Sequence, residues 1–291
     1  MSKQTTKVLL YSIILCLVGI IPLNSQNIEI IDASQEPFTP ESLIKNYFIG
    51  EGVDIIDISY EGINEATGYF SNGTEDLGLD QGIVLSTGKV TRFSNPHTNE
   101  SSTLTSDDEV ENQELANIIG ANLLKDIATY EITFIPTADS IQFNYVFASE
   151  EYPEYVCSQF NDVFGFFISG PNPLGGEYNA QNIAIVPGTD LPVSINNVNS
   201  GMVGASGNHS DCAGIANLNY AQYYNKNTSE HLIFDGILDP FSAAAKVIPC
   251  ETYTIRFSIG DVVDFLKDSA VFLEGKSFSS NTVDLQALTT N

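Results

Sequence analysis

Glu150, Glu151 and Glu154 fall within a five-residue window, and Asp162 follows closely in the same polar stretch. Carboxylates crowded in this way repel one another, and a bound cation relieves the repulsion. Oxygen-only ligands suit a hard cation, so the chemistry indicated is calcium binding. Asp261, Asp264 and Asp268 form a second acidic stretch much further along the chain. The expected metal ligands are Glu150, Glu151, Asp162 and Asp268, gathered from separate loops, because no D-x-[DN]-x-[DN]-G loop is present. Tyr152 and Tyr155 flank Glu154. A tyrosine offers an apolar face with a polar tip, so Tyr152, Glu154 and Tyr155 are the expected contacts to a sugar-like ligand. The competing reading is a solvated acidic turn between two core strands, with Arg256 on a neighbouring strand neutralising a carboxylate.

The same acids would also serve glycoside hydrolysis. That reaction needs two carboxylates across an open cleft, whereas neighbours on a strand point to opposite faces. Glu150 and Glu151 would therefore need a third group, such as Asp162. Other chemistry finds no support. His97, His209 and His231 lie in polar stretches, none beside a G-x-S-x-G nucleophile motif. The cysteines and histidines show neither C-x-x-C nor H-E-x-x-H spacing, which removes the usual zinc patterns.

The elements that must position this loop are legible around it. Ile141, Phe143, Tyr145 and Phe147 alternate with Gln142 and Asn144, the period of a strand with one buried face. After the loop, residues 163–168 are apolar on both faces, as in a central strand covered on both sides. Ser169, Gly170 and Pro171 stop that strand. Tyr130, Ile132 and Phe134 also alternate, and residues 136–139 carry turn chemistry, so 130–147 reads as a hairpin. Tyr253, Ile255, Phe257 and Ile259 give the cleanest half-buried strand. Shorter strands are expected at Ile28–Ile31, 55–58, 83–86, 183–186, 193–198, 232–234, 243–248 and 270–273. Leu115, Ile118, Ile119 and Leu123 recur at helical spacing, so a helix is expected over 111–124, and a short proline-initiated one at 40–44. Residues 199–230, rich in Asn, Gly, Ser and Tyr, read as a long surface loop lying over a site.

Many short strands punctuated by Gly and Pro predict an all-β chain with one or two short helices. The expected architecture is a two-sheet antiparallel β-sandwich of jelly-roll or lectin type. Its core is expected to hold Phe143, Tyr145, Phe147, Phe164, Phe166, Phe257 and Phe272. One domain is expected over 26–280, with a tail over 281–291.

Residues 1–25 read as a signal peptide: Lys3 and Lys7, then an apolar run, then Leu23-Asn24-Ser25 as the cut site. The run is short for a membrane span, so no membrane insertion is expected after cleavage. The chain holds 11 basic and 37 acidic residues. Removing Lys3 and Lys7 leaves nine against 37, a net charge of −28. Such a surface does not track nucleic-acid phosphates or anionic lipid. Cleavage leaves Cys157, Cys212 and Cys250, and export permits a disulfide. Three pairings are open, as is a fully reduced chain. Cys212 with Cys250 is the preferred pair, because it would pin the long loop to the strand beginning near Thr252.

Several long motifs resemble the choice-of-anchor L domain family of secreted and surface bacterial proteins. They are FNYVFASEEYPEYVCSQFNDVFGFFISGP, GYFSNGTEDLGLDQGIVLSTGKV at 68–90, NIAIVPGTDLPVSINNVN at 182–199 and IPCETYTIRFSIGDVVDFLKDSAVFLEGKSF at 248–278. The resemblance spans about residues 40–280 and implies display at the cell surface rather than a known reaction. The expected function is a secreted or cell-surface binding or adhesion module, calcium-stabilised and non-enzymatic. Its expected partner is an extracellular glycan or a surface protein. The alternative is a glycoside hydrolase using the acids of 148–162. The family's C-terminal anchor has no counterpart after Phe278, so the chain is expected to be part of a larger anchored protein, or to be released.

Overall fold

The computed structural model describes residues 27–94, 112–120, 124–208, 212, 218–263 and 266–281. The expected signal peptide, the tail beyond Asn281, and His97, His209 and Asp264 lie outside the described residues. In chain order the strands are β1 (Glu29–Asp32), β2 (Val53–Glu61), β3 (Thr67–Ser71), β4 (Gly82–Ser86) and β5 (Leu124–Pro136). They continue with β6 (Ser140–Ser149), β7 (Val163–Pro171), β8 (Glu177–Asn182), β9 (Tyr224–Lys226) and β10 (Gly236–Leu238). The last four are β11 (Phe241–Lys246), β12 (Tyr253–Val262), β13 (Ser269–Glu274) and β14 (Ser279–Ser280). The α-helices are short: α1 (Pro40–Leu43), α2 (Thr74–Leu77), α3 (Val90–Phe93) and α4 (Gln113–Ile119).

All strand pairs are antiparallel and fall into two sheets. The first runs β1-β3-β4-β13-β6-β10-β9, with β11 and β14 also on β6, and the second runs β2-β5-β12-β7-β8. The expected β-sandwich is the observed architecture. Its inter-sheet core is aromatic. Phe143, Tyr145, Phe164, Phe166 and Phe257 are all buried, with ring centroids of neighbouring pairs 4.8–5.7 Å apart. Period-two patterning put these rings on one face, and the strand register aligns Phe257 with both Tyr130 and Phe166. Tyr145 brings an unmet hydroxyl into this core, since its oxygen is buried without a hydrogen-bond partner. Tyr145→Phe is therefore expected to raise stability by about 1 kcal/mol in urea unfolding. A fall of similar size would mean that the hydroxyl is satisfied in solution.

Several sequence expectations change, and the strand expected at 232–234 lies at β10 instead. Phe272 does not join the inter-sheet core. It packs with Val84, Val146, Ala148, Phe70 and Phe234 in a second cluster on the outer face of the first sheet. Strand β6 thus keeps its polar outer face only at Gln142 and Asn144 and buries both faces further on. Residues 130–147 are not a hairpin, because β5 pairs with β2 and β12 while β6 lies in the other sheet. Alternation reveals which face is buried, not which neighbour supplies the hydrogen bonds. The expected helix over 111–124 is cut to Gln113–Ile119: Asn112 caps it by accepting from Leu115 N at 3.0 Å, and Gly120 closes it in the left-handed region. Finally, 183–198 is irregular, held by the bridges Ile185–Pro192 and Val163–Ser194, and the strand lies at β8 instead.

Candidate functional site

Because β6 and β7 belong to different sheets, the acidic loop 150–162 crosses from one sheet to the other at one end of the sandwich. The connection from β12 to β13, residues 263–268, makes the same crossing in reverse. The end of β4 and the start of β5 lie beside them, since β4 pairs with β13 and Lys125 is in register with Asp261. Topology therefore gathers Thr87, Asp126, Asp162, Asp261 and Asp268 at one end.

The two crossings are tied to each other. Glu150 N donates to Asp268 O at 3.0 Å, and Asp268 N donates to the Glu150 carboxylate at 3.1 Å. The Asp162 carboxylate accepts from Val262 N at 3.2 Å and from Ser269 Oγ at 2.7 Å. Asp268 fits against bare backbone, because a Cβ at Gly88 would stand 2.3 Å from its carboxyl carbon. A register shift between Ile259 and Asp261 re-aims the end of β12, the usual effect of a β-bulge. Asp126 (φ 47°) and Val263 (φ 78°) are in the left-handed region, which is costly for a β-branched residue, so the backbone around the cluster is strained.

Asp261 is the group that decides the chemistry. It is 1% exposed, and neither of its carboxylate oxygens reaches a partner at hydrogen-bond geometry. Burial pushes its pKa well above the usual carboxylate range, and Asp162, Asp268 and Asp126 push it further the same way. The Thr87 hydroxyl opposes this from short of full hydrogen-bond geometry. Asp126, Asp162 and Asp268 are buried as well. Burial beside three other acids disfavours the charged form of Asp261 unless a cation meets it. Among the described residues, no three His, Cys, Asp or Glu side chains already surround one point as a metal cage.

Of the residues predicted from sequence, Asp162 and Asp268 meet here, and Glu150 joins through the Asp268 backbone. Glu151 is buried, with its N–H donating to Ser149 Oγ, but it is not among the acids acting on Asp261. Asp126 was missed, although it shares the phase of Ala128, Tyr130, Ile132 and Phe134, and an acid in the apolar phase of a strand is a signal. Arg256 neutralises none of these acids. It pairs with Glu131 at 2.5 Å and with Glu114, fastening α4 to the second sheet. The cluster is beneath the surface rather than across an open cleft, so these acids lack the access that paired-carboxylate hydrolysis requires.

Tyr152 is corrected as a ligand contact. It is fully buried, and its hydroxyl donates to Val198 O at 2.6 Å. Glu154 is exposed and Tyr155 half-buried, with the Tyr155 ring 5.4 Å from that of Phe160. The preferred disulfide is also corrected: Cys157 bonds Cys212, and Cys250 is free and exposed. Cys250 sits beside Pro136, where β5 ends, whereas the acidic loop begins where β6 ends. A ten-residue strand separates those ends by roughly 30 Å, far beyond disulfide reach. Of the expected long loop over 199–230, residues 218–226 form a 3-10 helix and β9 instead, while 204–208 pack on the backbone of 154–157. Gly204 N donates to Val156 O at 2.9 Å, Ser206 N to Glu154 O at 2.9 Å and Asn208 N to Cys157 O at 2.6 Å.

A disulfide fits an oxidising compartment. No helix among the described residues is long and apolar enough to cross a membrane. The family model of the choice-of-anchor L domain matches residues 31–279, most of the chain. No curated protein and no solved structure matches it.

Proposed function

The chain belongs to the choice-of-anchor L domain family, a module associated with the cell surface, and on that premise we propose that it is a displayed, non-enzymatic binding module whose crossover end is held by a divalent cation, calcium. The observation that supports the cation is Asp261, buried and without a hydrogen-bonded oxygen among three further aspartates. Asp126, Asp162, Asp261 and Asp268 are the proposed ligands, with the Glu150 carboxylate steadying Asp268. The donors are all oxygen, which suits calcium over zinc or copper. Calcium would join the two crossings between the sheets and hold the loops above them in one geometry for a partner. That partner is an extracellular glycan or surface protein rather than nucleic acid, given the net negative charge.

The test is thermal melting over pH, in calcium and in chelator. A cation that binds only the folded chain stabilises it by about 2.7 kcal/mol at a hundredfold excess over Kd. Melting temperature is expected to rise with calcium in wild type and to stay flat in Asp261→Asn. The pH arm has a definite sign. With its pKa raised by folding, Asp261 binds more protons in the folded chain than in the unfolded chain. Stability in chelator is then greatest below the unfolded carboxylate pKa and falls as pH rises toward the folded value. Calcium is expected to flatten that fall, because it replaces the protons. A melting temperature indifferent to calcium at neutral pH, yet still falling with pH, would show that the cluster carries protons and would overturn the cation.

A further inference from the structure

A second polar site lies away from the aspartates, in a groove of about 700 Å³ between α2 and the segment 225–240. Its organising pair is Asp76 with His231. The Asp76 side chain is only 2% exposed, and its carboxylate accepts from Ser229 Oγ at 2.5 Å and from His231 Nδ1 at 3.2 Å. Ser229 Oγ in turn accepts from His231 N at 3.0 Å, and the Asn227 side chain fixes the turn by donating to Leu232 O and Phe234 O. An ionised carboxylate only accepts, so whenever the ring is neutral this contact selects the tautomer with the proton on Nδ1 and the lone pair on Nε2. Among the described residues Nε2 has no hydrogen-bond partner, and the ring is partly exposed on the groove wall. Across the groove, Asn225 donates to Asp239 at 2.7 Å, and Leu77 and Ile237 supply apolar lining.

We propose that this groove binds a neutral, hydroxyl-rich glycan, with His231 Nε2 and Asp239 accepting its hydroxyls and Asn225 donating to it. The inference rests on the display reading above and is independent of the cation. Three features select the ligand class. The groove wall is rich in acceptors, which sugar hydroxyls satisfy as donors. Glu75, Asp76, Glu230 and Asp239 outnumber Lys226, which excludes uronates and other acidic sugars. The volume lies within the roughly 300–1,000 Å³ of small-ligand sites.

The experiment is NMR of the full chain with labelled histidine, titrated with neutral hexose and N-acetylhexosamine oligosaccharides and, separately, with uronate oligosaccharides and zinc. The ring nitrogens are expected to report the Nδ1–H tautomer. Neutral glycans are expected to shift the His231 signals, and uronates to leave them in place. His231→Ala and, on the exposed rim, Asn225→Ala are each expected to weaken binding about tenfold, the scale of one hydrogen bond. Asp261→Asn is expected to leave it unchanged, which separates this proposal from the cation. No response to any neutral glycan at millimolar concentration, wild-type affinity in both groove variants, or a response to zinc alone would each overturn the proposal.

Discussion

Removing the Cys157–Cys212 disulfide, in a Cys157→Ser/Cys212→Ser chain, is expected to cost about 4 kcal/mol of stability. The bond closes a loop of 55 residues, and the chain-entropy relation for a loop of that length gives this value at room temperature. Native-state relaxation will not recover it. The Cys157 backbone is in the left-handed region, and its N–H is committed to the Asn196 side chain at 2.7 Å. The Asn196 side chain also donates to Ser158 O at 3.0 Å and its backbone N–H donates to Asn161 Oδ1 at 2.9 Å, so the bridge anchors a network beneath the acidic loop. Urea unfolding of the oxidised and the double-serine chains measures the difference in midpoint at constant slope. A loss below about 1 kcal/mol would show that this loop is ordered without the bond. Because the loop ends at Asp162, the double-serine chain is also expected to respond less to calcium than wild type does.

Phe166→Ala is expected to cost about 3–5 kcal/mol, the range for truncating a buried aromatic ring. The residue is 1% exposed, and its ring lies 4.8–5.3 Å from those of Tyr145, Phe143, Phe257 and Phe164. These neighbours sit on three strands in both sheets, so they cannot collapse into the cavity without moving the sheets. Leu174→Ala is the matched control. That side chain is 92% exposed, and its loss is expected to fall within about 0.5 kcal/mol of zero. Equal effects of the two substitutions in urea unfolding would remove the ring cluster as the centre of stability.

The sandwich, its aromatic core and its polar faces were legible because burial on a strand is written at period two. Tyr253, Ile255, Phe257 and Ile259 declare one face without reference to any partner. The same phase, carried one step further, reaches Asp261, and the phase of Tyr130 carried backwards reaches Asp126. Acids in apolar phase were therefore visible at two of the four aspartates, while the crowded glutamates of 150–154 drew attention to the loop itself. Family membership was legible too, since long motifs survive in the sequence whatever their neighbours are.

Tertiary structure decided which strands pair, which cysteines meet and which acids share a site. Residues 130–147 alternate as a hairpin would, yet the turn between their strands passes from one sheet to the other. That single change puts the two crossings at one end, brings Asp162 to Asp268 and leaves Cys250 a strand's length from Cys212. Tertiary packing also buries Tyr152, which local composition presents as a surface residue, and brings His231 to Asp76, 155 positions away in sequence. Periodicity records how each segment meets solvent. Hydrogen-bond pairing between segments is nearly degenerate in sequence, and only closure of the whole core selects among the pairings.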